Sequence, residues 1–178
     1  MLFESIAILL MQDTGATAAA PATPPPAAPP SCEGGPYEAF DFWVGEWTVT
    51  PASGGDPVAD SRIEKVSAGC AIRETWMPYR GRHGTSLSAY DPQTGNWHQL
   101  WVGGSPGRVS FDGGPHEGAM VLTGYWGRDA AGNSQLVRMT YTVQGDGSVR
   151  QYGQASSDHG QSWSDSFDFL YRRKDTSE

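Results

Sequence analysis

The sequence has few charged residues and few cysteines, and it has no long apolar run. Charged residues make up 18% of the chain, and Cys32 and Cys70 are its two cysteines. No apolar stretch approaches the roughly 20 residues of a membrane-spanning helix. No C-x-x-C motif or Cys/His cluster has the spacing of a metal site, so we expect no bound metal. These absences argue against a helical membrane protein and against a zinc-binding module.

Basic residues are also scarce relative to acidic ones. The formal net charge is -8 at pH 7. Nucleic acids and anionic membranes would both require a basic face, so neither is an expected partner. The sequence contains no G-x-S-x-G nucleophile motif and no phosphate-binding loop. We therefore predict no particular reaction from motifs, and no cofactor.

Glycine and aromatic residues are abundant, and apolar residues alternate with polar ones between turn-rich separators. This pattern predicts about ten strands joined by short loops, and no segment has a sustained helical period. The predicted strands are Glu46–Ala52, Ser61–Ala68, Ala71–Pro78, Thr85–Tyr90, Trp97–Gly103, Arg108–Asp112, Ala119–Gly127, Leu136–Val143, Val149–Ser156 and Ser162–Arg173. Because a long antiparallel meander avoids exposed edges by closing, we predict a single all-β, up-and-down barrel over residues 36–175.

Residues 1–35 differ from the rest of the chain. An apolar run over 2–11 precedes an Ala/Pro-rich tract over 16–30, which cannot bury a core and predicts a disordered linker. No basic residue precedes the apolar run, which makes it a poor signal peptide as it stands. We expect export to the periplasm if the true start lies upstream and adds a basic leader, and a cytoplasmic protein otherwise. In an exported protein, a Cys32–Cys70 disulfide could tie the end of this segment to the barrel; in a reducing compartment the two would be ordinary buried thiols.

The stretch from Phe40 to Val49 opens the predicted barrel. Three aromatic residues and Gly45 lead into the first strand, which carries Trp47. We interpret Trp43 and its neighbours as a turn or short helix that plugs one end of the barrel, with Trp47 closing the floor. The alternative is that these rings are ordinary core residues.

Residues 156–163 match the Asp-box pattern S-x-D-x-G-x-S-W, which occurs once in the sequence. A single copy is more typical of a stabilised hairpin turn than of a sugar-cleaving propeller. We expect the Asp158 carboxylate to accept hydrogen bonds from backbone N–H groups within the loop, with Trp163 packed below it.

The Gly45-x-Trp47 motif, with Arg172 and Arg173 in the last strand, resembles the calycin motif of lipocalins and their relatives. In that superfamily a basic side chain from the final strand covers the tryptophan, and the resemblance implies this role for Arg172, as a cation–π contact. The wider pattern resembles an uncharacterised family of bacterial lipocalin-like barrels. Its motifs here are F-D-F-W-V-G-E-W, G-C-A-I-x-E-x-W, G-x-S-L, Y-D, W-x-Q-x-W-V, V-R-Q and Y-R-R. The resemblance implies a hollow barrel and carries no established reaction.

The sequence is also distantly similar to the nitrobindins, ten-stranded barrels that bind haem through a histidine in the last strand. Aligning the Y-R-R end places Ser166, followed by Asp168, at that histidine position. The four histidines are His83, His98, His116 and His159, and of these only His98 falls within a predicted strand. We therefore expect no haem.

Alternation along the strands selects a set of residues that would line a common lumen. The predicted ligand-binding residues are Glu74, Trp76, Gln99, Trp101, Arg138 and Gln151, with Tyr90 and Tyr125 near the rim. Buried Glu74 and Arg138 should form an ion pair, and the arginine would favour a ligand with a carboxylate. If the strands face the other way, Glu74 and Arg138 would instead form exposed cross-strand ion pairs.

Three functions are compatible with these residues. The first is binding of a small amphipathic or aromatic ligand in the lumen, without catalysis. The second is an isomerase, cyclase or dehydratase type of enzyme, in which Glu74 is a general acid or base and Arg138 an electrostatic stabiliser. The third is an interaction module that uses exposed strand faces.

Overall fold

The computed structural model describes residues 31–174, which form a closed antiparallel barrel of ten strands. Each strand pairs with its sequence neighbours, and β1 pairs with β10 to close the barrel. The strands are β1 (Gly45–Pro51), β2 (Ala59–Val66), β3 (Ala71–Pro78), β4 (Gly84–Asp91), β5 (Asn96–Val102), β6 (Val109–His116), β7 (Ala119–Arg128), β8 (Ser134–Val143), β9 (Val149–Ser156) and β10 (Ser164–Arg173). The predicted all-β, up-and-down barrel is thus confirmed.

One predicted turn is instead part of a strand. Gly113-Gly114-Pro115 continues β6, and the chain reverses at Glu117 and Gly118, which both have positive φ. A Cβ on Gly113 would lie 2.0 Å from the carbonyl oxygen of Val121 on β7. Glycine here therefore permits a close approach of two strands, a role that sequence does not distinguish from a turn.

Aromatic residues plug one end of the barrel, as predicted. Two short 3₁₀ helices, Gly35–Glu38 and Asp41–Trp43, precede β1. Phe40 and Trp43 are fully buried and stack with their ring centroids 5.0 Å apart. The Trp47 indole N–H donates to the Trp43 carbonyl oxygen at 2.9 Å, which fixes the plug against the first strand. Because rings of this size bury much apolar surface, this end holds the packed core of the barrel.

The side chain that covers Trp47 is Arg173, and the prediction of Arg172 was wrong. Arg173 pairs with Trp47 across β1 and β10, and its guanidinium carbon lies 4.5 Å from the indole centroid. Arg172 is one residue out of phase, so it projects to the other face, where it donates to Thr50 Oγ1 at 2.8 Å. A Cβ on Gly45 would lie 2.5 Å from Arg173 Nη1, so the glycine makes room for the guanidinium.

A disulfide joins Cys32 to Cys70, at the turn between β2 and β3. It ties the segment before the plug to the barrel wall, so the last residues of the predicted linker are covalently attached. The predicted apolar run and the Ala/Pro-rich tract, residues 1–30, lie outside the described part of the chain.

The Asp-box hairpin has the expected hydrogen bonds. Asp158 accepts from the Ser162 backbone N–H at 2.8 Å and from the Ser162 hydroxyl at 2.6 Å. The Ser156 hydroxyl donates to Asp158 at 2.7 Å, and the Trp163 indole donates to the Gly160 carbonyl oxygen at 3.1 Å. Hydrogen bonds from the Ser162 hydroxyl, and to a smaller extent from the Ser156 hydroxyl, hold the pKa of the Asp158 carboxyl well below its usual range. The motif stabilises the β9–β10 turn.

Candidate functional site

A cavity of about 370 Å³ occupies the barrel lumen beyond the packed end. Its polar lining residues are Glu74, Gln99, Tyr141, Gln151 and Tyr171, and its apolar lining residues are Trp76, Trp101, Phe111, Trp126, Met139, Phe167 and Phe169. The polar residues Glu74, Gln99, Tyr141 and Tyr171 are all at most 5% exposed. Trp126 is 39% exposed and also lines the outer depression formed by the β5–β6 loop. The cavity therefore has a buried polar part and an aromatic wall that reaches the surface.

The structure places five of the six predicted site residues around this cavity. They are Glu74, Trp76, Gln99, Trp101 and Gln151. Glu74 and Trp76 come from β3, Gln99 and Trp101 from β5, and Gln151 from β9. Residues two apart on a strand share a face, so each pair lines the same wall.

Arg138 lies outside the barrel, and the predicted Glu74–Arg138 ion pair is wrong. Its guanidinium stacks 4.2 Å from the Trp163 ring centroid and donates to Gln154 Oε1 at 2.6 Å. The inward phase of β8 is instead the one that carries Met139 and Tyr141. Outside the barrel the guanidinium is stacked and hydrogen-bonded, and it avoids the cost of moving a charge out of water.

Glu74 is a buried carboxyl with uncharged hydrogen-bond partners. The Ser61 hydroxyl donates to one of its oxygens at 3.0 Å and the Ser86 hydroxyl to the other at 3.1 Å. Both serines come from the strands that flank β3: Ser86 on β4 is directly opposite Glu74, and Ser61 on β2 is opposite Trp76, two residues along the same face. Burial raises the pKa of Glu74 to about 7, although the hydrogen bonds from the Ser61 and Ser86 hydroxyls oppose that shift. The group can therefore change protonation near neutral pH.

Three other polar side chains of the lining form a directed hydrogen-bond chain. The Tyr171 hydroxyl donates to Gln151 Oε1 at 2.8 Å, and Gln151 Nε2 donates to the Tyr141 hydroxyl at 2.9 Å. Burial, followed by the Glu74 charge, raises the pKa of both tyrosines above their usual range. Both phenols therefore stay neutral and act as hydrogen-bond donors and acceptors at any physiological pH.

Three inward-facing glycines explain why the lumen is hollow. A Cβ on Gly84 would lie 2.5 Å from the Trp101 ring, and one on Gly153 would lie 2.4 Å from Phe167. A Cβ on Gly124 would lie 2.1 Å from the Ser110 carbonyl oxygen and 2.9 Å from the Phe111 ring. In each case the ring rests against the bare backbone of a strand, so it does not project into the lumen. Larger residues at these positions would displace the rings toward the cavity centre.

The sequence analysis missed seven of the lining residues. They are Phe111, Trp126, Met139, Tyr141, Phe167, Phe169 and Tyr171. The alternation of three aromatic residues with polar ones along β10 was the available signal for that strand. On β8, Val137, Met139 and Tyr141 form a wholly apolar phase opposite the phase that contains Arg138, and this contrast was the signal there.

The two tyrosines expected at the rim have different positions. Tyr90 contacts Tyr37 and Trp97 near the plug, with ring centroids 5.2 and 6.4 Å apart respectively, so it lies away from the cavity. Tyr125 is 52% exposed and lines the outer depression beside Trp126. Neither tyrosine lines the cavity: Tyr90 is in the packed end, and Tyr125 lies in the outer depression.

The described histidines lie outside the lumen. His98 faces outward on β5, where it contacts Asp112 and lies 3.1 Å from the Thr94 hydroxyl. Asp168, near the position that carries histidine in nitrobindins, forms a two-pronged ion pair with Arg150 on the outer face, and Ser166 lies at a bulge of β10. Within residues 31–174, no group of His, Cys, Asp and Glu side chains has the arrangement of a metal site.

No protein-family model matches the chain, and no curated protein matches it significantly. Over residues 31–174, no helix is both long enough and apolar enough to cross a membrane. The closed barrel of ten antiparallel strands is consistent with lipocalin-like folds.

Proposed function

We propose that this protein binds a small aromatic or amphipathic molecule in the barrel lumen, without catalysing a reaction on it. One observation carries the proposal: the lumen is hollow and is lined by eight aromatic rings, two of them tyrosines, beside Glu74, Gln99 and Gln151. Small-molecule sites in proteins typically combine a mostly apolar concave surface with a few orienting polar groups.

Trp101 is the most direct residue on which to test this function. Its indole lines the cavity, whereas its neighbour Leu100 projects outward and is 40% exposed. We expect the neutral fluorescent probe N-phenyl-naphthylamine to brighten on binding and to quench the cavity tryptophans. Trp101→Ala should weaken probe binding by about tenfold or more, since an aromatic stacking partner is lost.

Leu100→Ala provides the matched control, because it alters the same strand on the opposite face. It should leave probe binding unchanged. Equal effects of the two substitutions would contradict binding in the lumen. An effect of Leu100→Ala alone would favour an interaction module that uses the outer strand faces.

Acid–base catalysis is a second candidate, and the specific observation that favours it is Glu74. A buried carboxyl with a pKa of about 7 beside an aromatic-lined cavity is suited to transfer protons at neutral pH. The electrostatic stabiliser expected at Arg138 is absent from the lumen, which leaves Tyr141 and Tyr171 as neutral donors. An enzyme should lose turnover in Glu74→Gln while it keeps its affinity for a neutral substrate.

We also infer membership of the bacterial lipocalin-like family described above and export from the cytoplasm. The plug, the Gly-x-Trp motif and its covering arginine support the first inference. The Cys32–Cys70 disulfide supports the second, since such bonds persist in oxidising compartments. Thiol titration of protein isolated from its own host tests export: a free-thiol content of zero under denaturing conditions is expected, and two free thiols would contradict it.

A further inference from the structure

We propose that the lumen selects an organic cation: a flat apolar body that carries a protonated amine, with the ammonium group placed against Glu74. This inference rests on the proposed ligand-binding function and specifies the chemical class of the ligand. From the sequence, Arg138 favoured a ligand with a carboxylate. Because Arg138 lies outside the barrel, we now expect a ligand of the opposite charge.

The first support is the charge of the cavity lining. Glu74 is the single acidic side chain among the lining residues, and no Lys, Arg or His from residues 31–174 lines the cavity. A carboxylate removed from water strongly favours an opposite charge, and the described lining residues supply none, since Arg82 and Arg108 line the outer depression instead. A bound ammonium would provide that charge, whereas an anionic ligand would be repelled.

The second support is the unused hydrogen-bonding capacity of Glu74. Each carboxylate oxygen accepts one hydrogen bond, from Ser61 and from Ser86, and both serines come from the barrel wall. A carboxylate offers about four acceptor positions, so two remain for a donor in the lumen. An ammonium group has three donors and can use them together.

The third support is the aromatic wall around the carboxylate. Trp76 follows Glu74 by two residues on the same face of β3. Trp101 and Trp126 also line the cavity, with ring centroids 6.4 Å apart and ring planes tilted by 54°. The faces of indole rings carry negative electrostatic potential and attract cations, most strongly where water is excluded. Carboxylate and indole faces therefore favour the same ligand charge.

The experiment compares three probes that share one naphthalene body: naphthylmethylammonium, naphthylmethanol and naphthylacetate. Isothermal titration calorimetry at about pH 8, where Glu74 is mostly ionised, gives the affinity of each for the full-length protein. We expect the cation to bind at least about tenfold more tightly than the alcohol, since charge-assisted hydrogen bonds exceed neutral ones. The anion should bind most weakly.

Glu74→Gln tests the residue responsible, with Glu64→Gln as the matched control. Glu64 lies outside the cavity, where it pairs with Arg73 at 2.8 Å. Glu74→Gln should abolish the preference for the cation over the alcohol, and Glu64→Gln should retain it. Equal binding of cation and alcohol by the unmodified protein would overturn the proposal, as would a preference that survives Glu74→Gln.

The unmodified protein supplies a further test that does not depend on the folding of a variant. Because the cation requires ionised Glu74, its affinity should rise by up to about a hundredfold from pH 5 to pH 8. The alcohol affinity should change little. The titratable groups that face Glu74 are Tyr171 on β10 and Tyr141 on β8, and both stay neutral over this range, while Ser61 and Ser86 do not titrate. A cation affinity independent of pH would overturn the proposal.

The same probes distinguish a failure of cation selectivity from a failure of ligand binding in the lumen. If the alcohol binds but the cation has no advantage, lumen binding stands and cation selectivity is wrong. If none of the three probes binds, and N-phenyl-naphthylamine does not bind either, the binding function itself is wrong.

Discussion

Replacing Glu74 by glutamine should stabilise the protein at alkaline pH and leave its stability almost unchanged at acidic pH. Burial raises the pKa of Glu74 from its ordinary value of 4.5 to about 7 in the folded state. The folded protein therefore binds the Glu74 proton more tightly than the unfolded chain does. The stability this group contributes is fully present below pH 4.5, and it is lost as the pH rises through 7.

The size of the effect follows from the size of the pKa shift. A pKa shift from 4.5 to about 7 corresponds to about 3 kcal/mol. This is the extra free energy required to ionise Glu74 in the folded protein compared with the unfolded chain. Glutamine has nearly the same shape and cannot ionise, and the hydroxyls of Ser61 and Ser86 can rotate to meet its amide. We therefore expect Glu74→Gln to be about 3 kcal/mol more stable than the unmodified protein at about pH 8.

Urea denaturation of both proteins between about pH 4 and pH 8.5 measures this difference, because all other titrating groups cancel in the comparison. Glu64→Gln serves as the exposed control and should show no comparable alkaline gain. A stability difference between Glu74→Gln and the unmodified protein that stays constant with pH would refute the reasoning. If Glu74→Gln is instead the less stable protein at about pH 8 and similar to the unmodified protein at about pH 4, the folded protein stabilises the carboxylate form.

Three further predictions concern the cavity wall, the floor and the disulfide. Gly84→Ala should push the neighbouring indole into the lumen and weaken N-phenyl-naphthylamine binding, whereas Gly114→Ala, whose Cβ meets nothing within 4 Å, should not; equal fluorescence titrations would contradict the role of the glycine. Arg173→Ala should lower the free energy of unfolding by about 0.5–1 kcal/mol in urea denaturation, because the contact with Trp47 is lost, and Arg172→Ala should lower it less. A larger effect of Arg172→Ala would favour Arg172 as the residue that covers Trp47. Reduction of the disulfide, which joins residues 38 apart, should lower the unfolding free energy by about 4 kcal/mol, and unchanged stability after reduction would refute this.

Most of the barrel was predictable because its strands and turns leave local signals. Alternation and turn residues located every strand to within a few residues. β2 begins and ends two residues earlier than predicted, because Ser67 and Ala68 adopt positive φ in the turn that follows it. The G-G-P segment of β6 was the exception: glycine marks both turns and close backbone approaches, and only the position of Val121 on the next strand separates them. That information is not local.

The site was predictable wherever the inward phase contained mixed polar and aromatic residues. Glu74 and Gln99 each alternate with tryptophan on their strands, and both line the cavity. The prediction failed at Arg138 because we expected a buried partner for Glu74 and chose the phase that supplied one. The register of β8 with β9 pairs Tyr141 with Gln151 and so sets the opposite phase. We took a buried carboxyl without a cation to be too unfavourable, yet two serine hydroxyls bind it and its raised pKa lets it become neutral near pH 7.

The most direct measurement is a crystal structure of the protein with naphthylmethylammonium, together with one of Glu74→Gln grown under the same conditions. We expect the naphthalene ring in the lumen against Trp76 and Trp101, with the amine nitrogen within hydrogen-bonding distance of the Glu74 carboxylate, and loss of that orientation in the variant. A probe that binds in solution but occupies the outer surface, with a lumen that holds only water, would contradict ligand binding in the barrel.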